Sequence, residues 1–372
     1  MNSRRLKILV IDDSVTYRTI LSRVLTSING CDVVGVAPNG KVGLEMVALH
    51  KPDMVTLDIE MPVMNGIETL QRLSSEYPDT GVIIVSSADA HSADQTVEAL
   101  SLGCLEFIVK PNTKDLCEAQ EALKDQIRHV LSVVRKKTAG GSRTDSPLAT
   151  PEPSAPSARL RVPAGNNAIK EPRKVELIAI GSSTGGPRAL EELITALPAS
   201  IPLPILVVQH MPALFTKSLA KNINEKTALT VSEGIDGERI VAGNVYIAQG
   251  GRHMVIDKGP AGEPLITIND EAPENSCRPS VDVLFRSLTS VYSPERILCL
   301  ILTGMGADGV KGVRSLQEQG GGYCISQSEK SCVVYGMPRS IAEAGLTHEP
   351  LDLKDMADRI IGMCLPEKRR AL

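Results

Sequence analysis

A proline-rich segment in the middle of the chain constrains the fold more than any other feature. Residues 138–173 contain six prolines, no aromatic residue and no sustained hydrophobic periodicity. Such a segment cannot bury enough apolar surface to offset the entropy lost on ordering. For a chain of 372 residues, the segment predicts two domains at 1–135 and 174–372, joined by a flexible Pro/Ser-rich linker at 136–173.

The composition excludes several classes of protein. The chain has 40 Lys and Arg against 44 Asp and Glu, no tryptophan and three phenylalanines, which is unsuited to binding phosphate backbones or stacking bases. The apolar run near the N-terminus ends at Asp12 and is too short for a signal peptide or a membrane span. The eight cysteines form no CxxC pair and lie mostly in apolar surroundings, as reduced thiols do. We expect a cytoplasmic protein with no nucleic-acid partner and no membrane insertion.

In the first domain, short β-branched runs alternate with amphipathic stretches. The runs predict five strands: Leu6–Ile11, Asp32–Ala37, Met54–Leu57, Val82–Val85 and Leu105–Val109. Strands separated by helices imply a parallel sheet with right-handed crossovers. Five such units in about 130 residues indicate a flavodoxin-like doubly wound domain, whose ligands bind at the carboxyl ends of the strands.

Polar residues stand at those strand ends. Asp12 and Asp13 follow the first strand, Asp58 the third, Ser86 the fourth and Lys110 the fifth. Three carboxylates in one crevice repel one another unless a cation lies among them, and all-oxygen ligands suit Mg²⁺. The pattern therefore predicts a Mg²⁺ site that also holds a phosphoryl acceptor.

The first 130 residues resemble the receiver domains of two-component response regulators. The resemblance rests on Asp12-Asp13, Asp58, Met61-Pro62, Asn65-Gly66, Ser86 and Lys110-Pro111. It implies that Asp58 is phosphorylated by a histidine kinase and that Asp12 and Asp13 hold Mg²⁺ with it. Ser86 and Lys110 would contact the phosphoryl group.

Phe107 lies three residues before the lysine of this pattern. The receiver resemblance implies that it is the aromatic switch residue. A place in the aliphatic core, as one of only three phenylalanines, explains it comparably well.

The second domain opens with a strand, Val175–Ile180, which leads into the turn Gly181–Pro187 and a helical stretch, Arg188–Leu197. A strand, a tight turn and a helix form the setting in which a Gly-x-Ser-x-Gly serine becomes an exposed nucleophile. Ser183 is the central serine of this pattern. A phosphate-binding loop is the competing interpretation, but the turn has neither the Gly-Lys-Ser/Thr nor the Gly-x-Gly-x-x-Gly spacing.

The base must come from three histidines. His210 follows the β-branched run Ile205–Val208, so a parallel sheet would bring it to the same edge as the serine. His253 lies between shorter runs, Asn244–Ala248, Met254–Asp257 and Leu265–Asn269, which look antiparallel. His348 lies in a polar stretch. We expect His210 to be the base and leave His253 open as a pocket residue.

The third member of a triad should orient the imidazole. Asp308 follows the predicted strand Ile297–Leu302, whereas Asp282 has the position of a helix N-terminal residue. The glycines beside Met305 allow close approach of a substrate, so its N–H is a candidate oxyanion donor. We expect Met305, with Thr184 and Gly185 after the serine, to line the pocket.

Residues 174 to about 365 resemble the catalytic domain of the CheB family of chemotaxis methylesterases. The matching runs are Ile178–Pro187, Gln209–Pro212, Arg278–Asp282, Leu302–Gly309 and Gly336–Pro338. The resemblance implies a doubly wound α/β serine hydrolase domain with a small antiparallel insertion. It also implies demethylation of glutamate γ-methyl esters and deamidation of glutamines on chemoreceptors by Ser183, His210 and Asp308, with no cofactor for hydrolysis. Position 182 is Ser where many relatives have Ala, so a second hydroxyl is adjacent.

Two other functions compete with this interpretation. A transcriptional response regulator would carry a small, basic, helical effector, whereas residues 174–372 are longer, acidic and rich in strands. A scaffold with a vestigial triad would keep the same residues without turnover. Hydrolysis of an activated ester that is lost in Ser183→Ala would distinguish the enzyme from the scaffold.

Overall fold

The structure is a computed structural model that describes residues 4–113, 115–139 and 169–365. Of the predicted linker, 140–168 lies outside the described residues, and 136–139 continue a helix that ends at Ala139. The domain boundaries therefore stay predictions. No helix in the described ranges is long and apolar enough to cross a bilayer.

The N-terminal domain is built on a five-stranded parallel sheet. Its strands are β1 (Leu6–Ile11), β2 (Cys31–Ala37), β3 (Met54–Asp58), β4 (Gly81–Ser86) and β5 (Glu106–Val109). Their order, β2-β1-β3-β4-β5, is the flavodoxin-like order that the sequence predicted, and each predicted strand end lies within one residue of the observed end. The helices are α1 (Val15–Ser27), α2 (Gly40–His50), α3 (Gly66–Glu76), α4 (Ala90–Ser101) and α5 (Leu116–Ala139).

The C-terminal domain has a seven-stranded parallel sheet in the order β14-β13-β12-β6-β7-β9-β8 and a separate antiparallel pair, β10 with β11. The strands are β6 (Leu177–Ser182), β7 (Ile205–Gln209), β8 (Thr230–Glu233), β9 (Asn244–Ile247), β10 (His253–Lys258), β11 (Pro264–Asn269), β12 (Ile297–Ile301), β13 (Tyr323–Gln327) and β14 (Glu349–Leu351). The helices are α6 (Gly186–Thr195), α7 (Phe215–Asn224), α8 (Val281–Ser287), α9 (Val310–Glu318), α10 (Met337–Glu343) and α11 (Leu353–Cys364).

Both faces of this sheet are covered, which agrees with the predicted doubly wound α/β class. Along β6, Ile178 and Ile180 pack with apolar residues of α6, α7 and α11. Leu177 and Ala179 point to the other layer and pack with α8, α9 and α10. The period of two along a strand, combined with burial on both faces, explains why β6 is apolar up to its final glycine and serine.

One expectation for this domain is wrong. The run at Asn244–Ala248 was expected to be antiparallel, but β9 pairs in parallel with both β7 and β8. Only β10 and β11 form the antiparallel insertion in the described ranges. A short run of alternating apolar residues predicts a half-buried strand. Whether that strand is parallel or antiparallel depends on which strands it pairs with, and tertiary packing decides this.

Candidate active site

Two adjacent serines lie at the end of β6 and have different surroundings. Ser182 is fully buried, and its hydroxyl donates to Gln209 Oε1 at 2.7 Å. Ser183 is half-buried, and its hydroxyl makes no hydrogen bond to any described residue. The serine that the Gly-x-Ser-x-Gly pattern selects therefore keeps a hydroxyl that is not used to hold the turn.

Gln209 is a functional residue that sequence reasoning missed. It ends β7, is buried, and its Nε2 donates to the carbonyl oxygens of Ser183 at 3.0 Å and His210 at 3.2 Å. One amide thus fixes the turn of the nucleophile and the turn of the base relative to each other. The available signal was a polar side chain at the end of the otherwise apolar run Ile205–Val208.

His210 follows β7 at the same sheet edge as Ser183, and its N–H donates to Ser182 O at 3.1 Å. Its Nε2 lies 2.8 Å from Asp308 Oδ2, and its side chain is 13% exposed. Burial lowers the pKa of the imidazole, but the contacts with Asp308 and Cys277 outweigh burial and raise the pKa of His210 to about 9. Asp308 holds the proton on Nε2, so Nδ1 is the nitrogen that can act as the base once the imidazolium has given up its second proton.

Asp308 is an anion held by many donors. Its Oδ2 accepts from Val281 N at 2.7 Å and from the imidazole, and its Oδ1 accepts from Ser280 Oγ at 2.8 Å, Asp282 N at 3.1 Å and Asn275 Nδ2 at 3.1 Å. Burial raises the pKa of this carboxyl, but the hydrogen bonds and the imidazole hold it well below its usual range. The residue stays ionised and cannot rotate without losing several donors.

Asp282, the alternative third member, does not touch the imidazole. Its Oδ1 accepts from Gly309 N at 2.9 Å and Gly312 N at 2.7 Å, at the start of α9. It thereby anchors the loop that presents Asp308. Asp282 therefore has the helix N-terminal role that its sequence position indicated. The N-terminus that it binds is that of α9, whereas Asp282 itself belongs to α8.

Gly304 brings the Met305 loop against the nucleophile. A Cβ at Gly304 would lie 2.7 Å from Ser183 Cβ and 2.5 Å from Met337 Sδ, so only glycine permits this approach. The backbone N–H of Ser183 donates to Thr303 O at 3.0 Å. Thr303 and Gly304 thus both contact Ser183, and the predicted oxyanion residue, Met305, is the next residue in the chain.

The two remaining histidines of this domain support loops. His253 is buried, accepts from Ser280 N at Nδ1 and lies 3.2 Å from Ala272 O through Nε2. His348 accepts from Cys324 N and stacks on Tyr323 with ring centroids 4.5 Å apart. His253 thus holds the segment beside Asp308 and is no part of the pair that carries the proton.

In the receiver domain, Asp12, Asp13 and Asp58 offer carboxylate oxygens within 4.8 Å of one another. Lys110 Nζ lies 2.7 Å from Asp58 Oδ2 and 3.1 Å from Asp12 Oδ2. Burial raises the pKa of Asp58 to about 6, opposed by Lys110 and reinforced by Asp12. One ammonium does not neutralise three carboxylates, so the donor set fits a divalent cation with oxygen preference.

The other predicted receiver residues lie at the ends of neighbouring elements of the same domain. Ser86 ends β4, is buried, and accepts from Thr96 Oγ1 at 2.8 Å. A Cβ at Gly66 would lie 2.3 Å from Asp58 O, which explains a glycine in the Asn65-Gly66 pair. Asn65 caps α3 in a capping box with Glu68.

Phe107 is partly buried against the hydrophobic core and also packs across the domain boundary, so its role as the switch residue stays a prediction. Its ring stacks on Phe215 of α7 with centroids 4.6 Å apart. On the same face, Asp94 pairs with Lys221 at 2.7 Å. Neither contact could be read from sequence, since each joins residues more than 100 positions apart.

The interface extends to the predicted pocket. Burial raises the pKa of Glu106 of β5, and the side chain of Thr184, across the domain boundary, opposes that shift. A narrow cleft between the domains is lined by Leu100, Gly103 and Cys104 of the receiver together with Gly185, Arg188 and Val333. The receiver thus covers the residues that follow the candidate nucleophile.

Comparisons with known proteins agree with this geometry. A family model described as CheB methylesterase matches residues 178–360, and one described as response regulator receiver domain matches residues 8–121. The protein-glutamate methylesterase/protein-glutamine glutaminase of Desulfotalea psychrophila is 44% identical over 96% of this chain and 98% of its own length. This chain belongs to that family.

Another member of the family is similar over its full length, and a solved catalytic domain is similar to about half of this chain. The protein-glutamate methylesterase/protein-glutamine glutaminase of Bacillus licheniformis is 39% identical over 98% of this chain and all of its own. The CheB methylesterase catalytic domain of Thermotoga maritima, a crystal structure, is 39% identical over 51% of this chain and 99% of that chain, with a TM-score of 0.49.

Proposed function

We propose that this chain is a phosphorylation-regulated hydrolase that demethylates glutamate γ-methyl esters on chemoreceptors and deamidates receptor glutamines to glutamate, in chemotaxis adaptation. The observation that carries the proposal is the His210–Asp308 pair, held by four further donors to the aspartate, at the strand end beside a hydroxyl that makes no hydrogen bond to the described residues. A buried imidazole oriented by an ionised carboxylate is the arrangement that activates a serine.

The proposed reaction has two steps. Ser183 Oγ attacks the γ-carbonyl carbon while His210 Nδ1 accepts the hydroxyl proton, because Nε2 already donates to Asp308. The imidazolium then gives that proton to the leaving group, which departs as methanol from an ester or as ammonia from an amide. Water attacks the glutamyl-enzyme in the same way and releases glutamate. The N–H of Met305 is the proposed donor to the oxyanion, and Thr184 and Gly185 line the pocket.

The receiver carries the proposed regulation. Receiver domains are generally Mg²⁺-dependent for phosphorylation, and Asp12, Asp13 and Asp58 are the residues that would hold the ion here. The ion would neutralise charge on the incoming phosphoryl group. A histidine kinase is the proposed phosphodonor, and Ser86 and Lys110 are the proposed phosphoryl contacts. A cytoplasmic location belongs to the same proposal.

The contact between the domains supports inhibition by occlusion. Thr184 and Gly185 adjoin the nucleophile and face the receiver, so a receiver in this position restricts a receptor segment that approaches Ser183. A phosphorylated receiver that binds less well by a few kcal/mol would leave the pocket open.

Methanol release tests the activity. Membranes that carry methylated receptors are incubated with the full chain, with Ser183→Ala and with Ser182→Ala. We expect Ser183→Ala to lose ~10⁴-fold or more in rate, as removal of a triad member does. Ser182→Ala, the matched control, removes a hydroxyl that points to Gln209 and should keep most of the rate. Equal rates for the wild type and Ser183→Ala would contradict the proposal.

A further inference from the structure

A thiol lies beside the candidate base and has no place in the proposed reaction. Cys277 Sγ is 3.7 Å from His210 Nδ1, and it is also 3.5 Å from Asn275 O. The cysteine is partly exposed, in contrast to the buried Cys299 and Cys324. The composition led us to expect buried thiols, and Cys277 differs from them in being partly exposed. Its sulfur lies beside His210 Nδ1, the nitrogen that accepts the proton of Ser183 in the proposed reaction.

The backbone fixes this thiol in place. Glu274 and Cys277 exchange two backbone hydrogen bonds, of 3.1 and 2.8 Å. The carboxylate of Glu274 is held in turn by Arg286 and Lys311. These contacts hold the backbone of Cys277, and its Sγ contacts His210 Nδ1 and Asn275 O.

The distance between the two atoms suits a shared metal ion. Zinc bonds of ~2.3 Å to sulfur and ~2.0 Å to nitrogen, at a tetrahedral angle, place Sγ and Nδ1 about 3.5 Å apart. The observed separation is 3.7 Å. Side-chain atoms of His210, Cys277 and Asp308 all lie within 4.8 Å of one another.

Asp308 would orient this site without ligating the metal. Its two oxygens already accept five hydrogen bonds, one of them from His210 Nε2 at 2.8 Å. A metal-binding histidine commonly donates its other ring N–H to a carboxylate, which fixes the tautomer and the direction of the lone pair. The pair that prepares His210 as a base also prepares it as a ligand.

We propose that His210 Nδ1 and the Cys277 thiolate bind Zn²⁺, with water in the open positions, and that the bound ion switches off hydrolysis. The thiol proton and the proton on Nδ1 of the imidazolium both pass to solvent when the metal binds. The ion then occupies the lone pair that would accept the proton of Ser183. The inhibitory half of this inference rests on the proposed function, whereas the binding half does not.

Cobalt tests the binding half directly, because Co²⁺ takes zinc sites and a thiolate ligand gives a charge-transfer band in the near ultraviolet. We expect the band in the full chain and in Ser183→Ala, and its loss in Cys277→Ser, Cys277→Ala and His210→Ala. Cys364→Ser is the matched control, since it removes another half-buried thiol, which lies beside Val175 near the start of β6, at the opposite end of that strand from Ser183, and should keep the band. A band that survives in Cys277→Ser or His210→Ala, or no band in the wild type, would overturn the site.

The inhibitory half is tested by hydrolysis with added Zn²⁺, each variant being compared with its own rate in a chelator. We expect micromolar Zn²⁺ to inhibit the wild type reversibly and Cys277→Ser to need at least ~10-fold more, as a site that loses a ligand should. A wild type that shows the cobalt band but keeps its rate in Zn²⁺ would overturn the inhibition. If no variant hydrolyses ester even in chelator, the proposed function fails and the cobalt band still decides the metal site.

Discussion

The two domains place an aspartate at the carboxyl end of a parallel strand, and the two aspartates have opposite surroundings. Asp58 ends the receiver strand β3 beside two further carboxylates, with Lys110 as its cation. Asp308 follows β12 among five hydrogen-bond donors. Burial raises the pKa of both, but only at Asp308 do the donors more than compensate.

This difference shows how one residue type performs two tasks. A crowded carboxylate with few donors gains from a cation or from transfer of a phosphoryl group, because either reduces the repulsion. A carboxylate with all its lone pairs occupied is a fixed anion whose use is to orient a neighbour. The surroundings, supplied by different loops, decide which task the strand end performs.

The largest effect is expected when the fixed anion of the catalytic domain, Asp308, is replaced by a neutral amide. Asp308→Asn should lower hydrolysis by ~10⁴-fold, because an amide cannot hold the imidazole in the required tautomer. Asp270→Asn is a suitable control, since it changes an exposed aspartate of the same domain whose carboxylate pairs with Arg252. Steady-state rates on methylated receptors measure both. A loss of less than ~10-fold in Asp308→Asn would assign the orientation of His210 to another group.

A smaller effect is expected at the interface that connects the two sites. Phe107→Ala removes the stacked pair with Phe215, which contributes about 0.5–1.5 kcal/mol beyond its buried area. We expect the unphosphorylated full chain to become about 3- to 10-fold faster, with little change after phosphorylation. Asp94→Ala removes an exposed ion pair of the same interface and should change the rate less. Phe107→Ala with an unchanged basal rate would argue against occlusion.

The smallest effect concerns the stability of the receiver. Mg²⁺ at ten times its Kd should stabilise this domain by about 1.4 kcal/mol, which is a few degrees in Tm. Calorimetry with and without Mg²⁺ measures the shift in Tm. Asp13→Asn should reduce that shift, because one of the three carboxylates is lost. Asp125→Asn changes an exposed aspartate on α5 and should keep the full shift. A shift of the same size in Asp13→Asn would remove that residue from the ligand set.

Much of this architecture could be predicted because the relevant signals are local. Buried parallel strands are β-branched runs, and a polar residue that follows such a run must emerge at the sheet edge where its neighbours also end. This is why the residue pattern alone was enough to assign Asp58, Ser183 and His210 to two strand-end clusters. The strand Asn244–Ile247 was assigned the wrong direction because direction is a property of a pair of strands.

The sequence by itself determined the fold class, the order of the two domains and which candidate residues stand at each sheet edge. Only the tertiary structure decided that Gln209 ties the serine to the histidine, that Asn275 and Ser280 saturate Asp308, and that a thiol faces Nδ1. It also decided that Phe107 packs on the other domain. Propensity and hydrophobic period act over a few residues, whereas these contacts join loops and domains that are distant in the chain, and their geometry exists only after both sheets have packed.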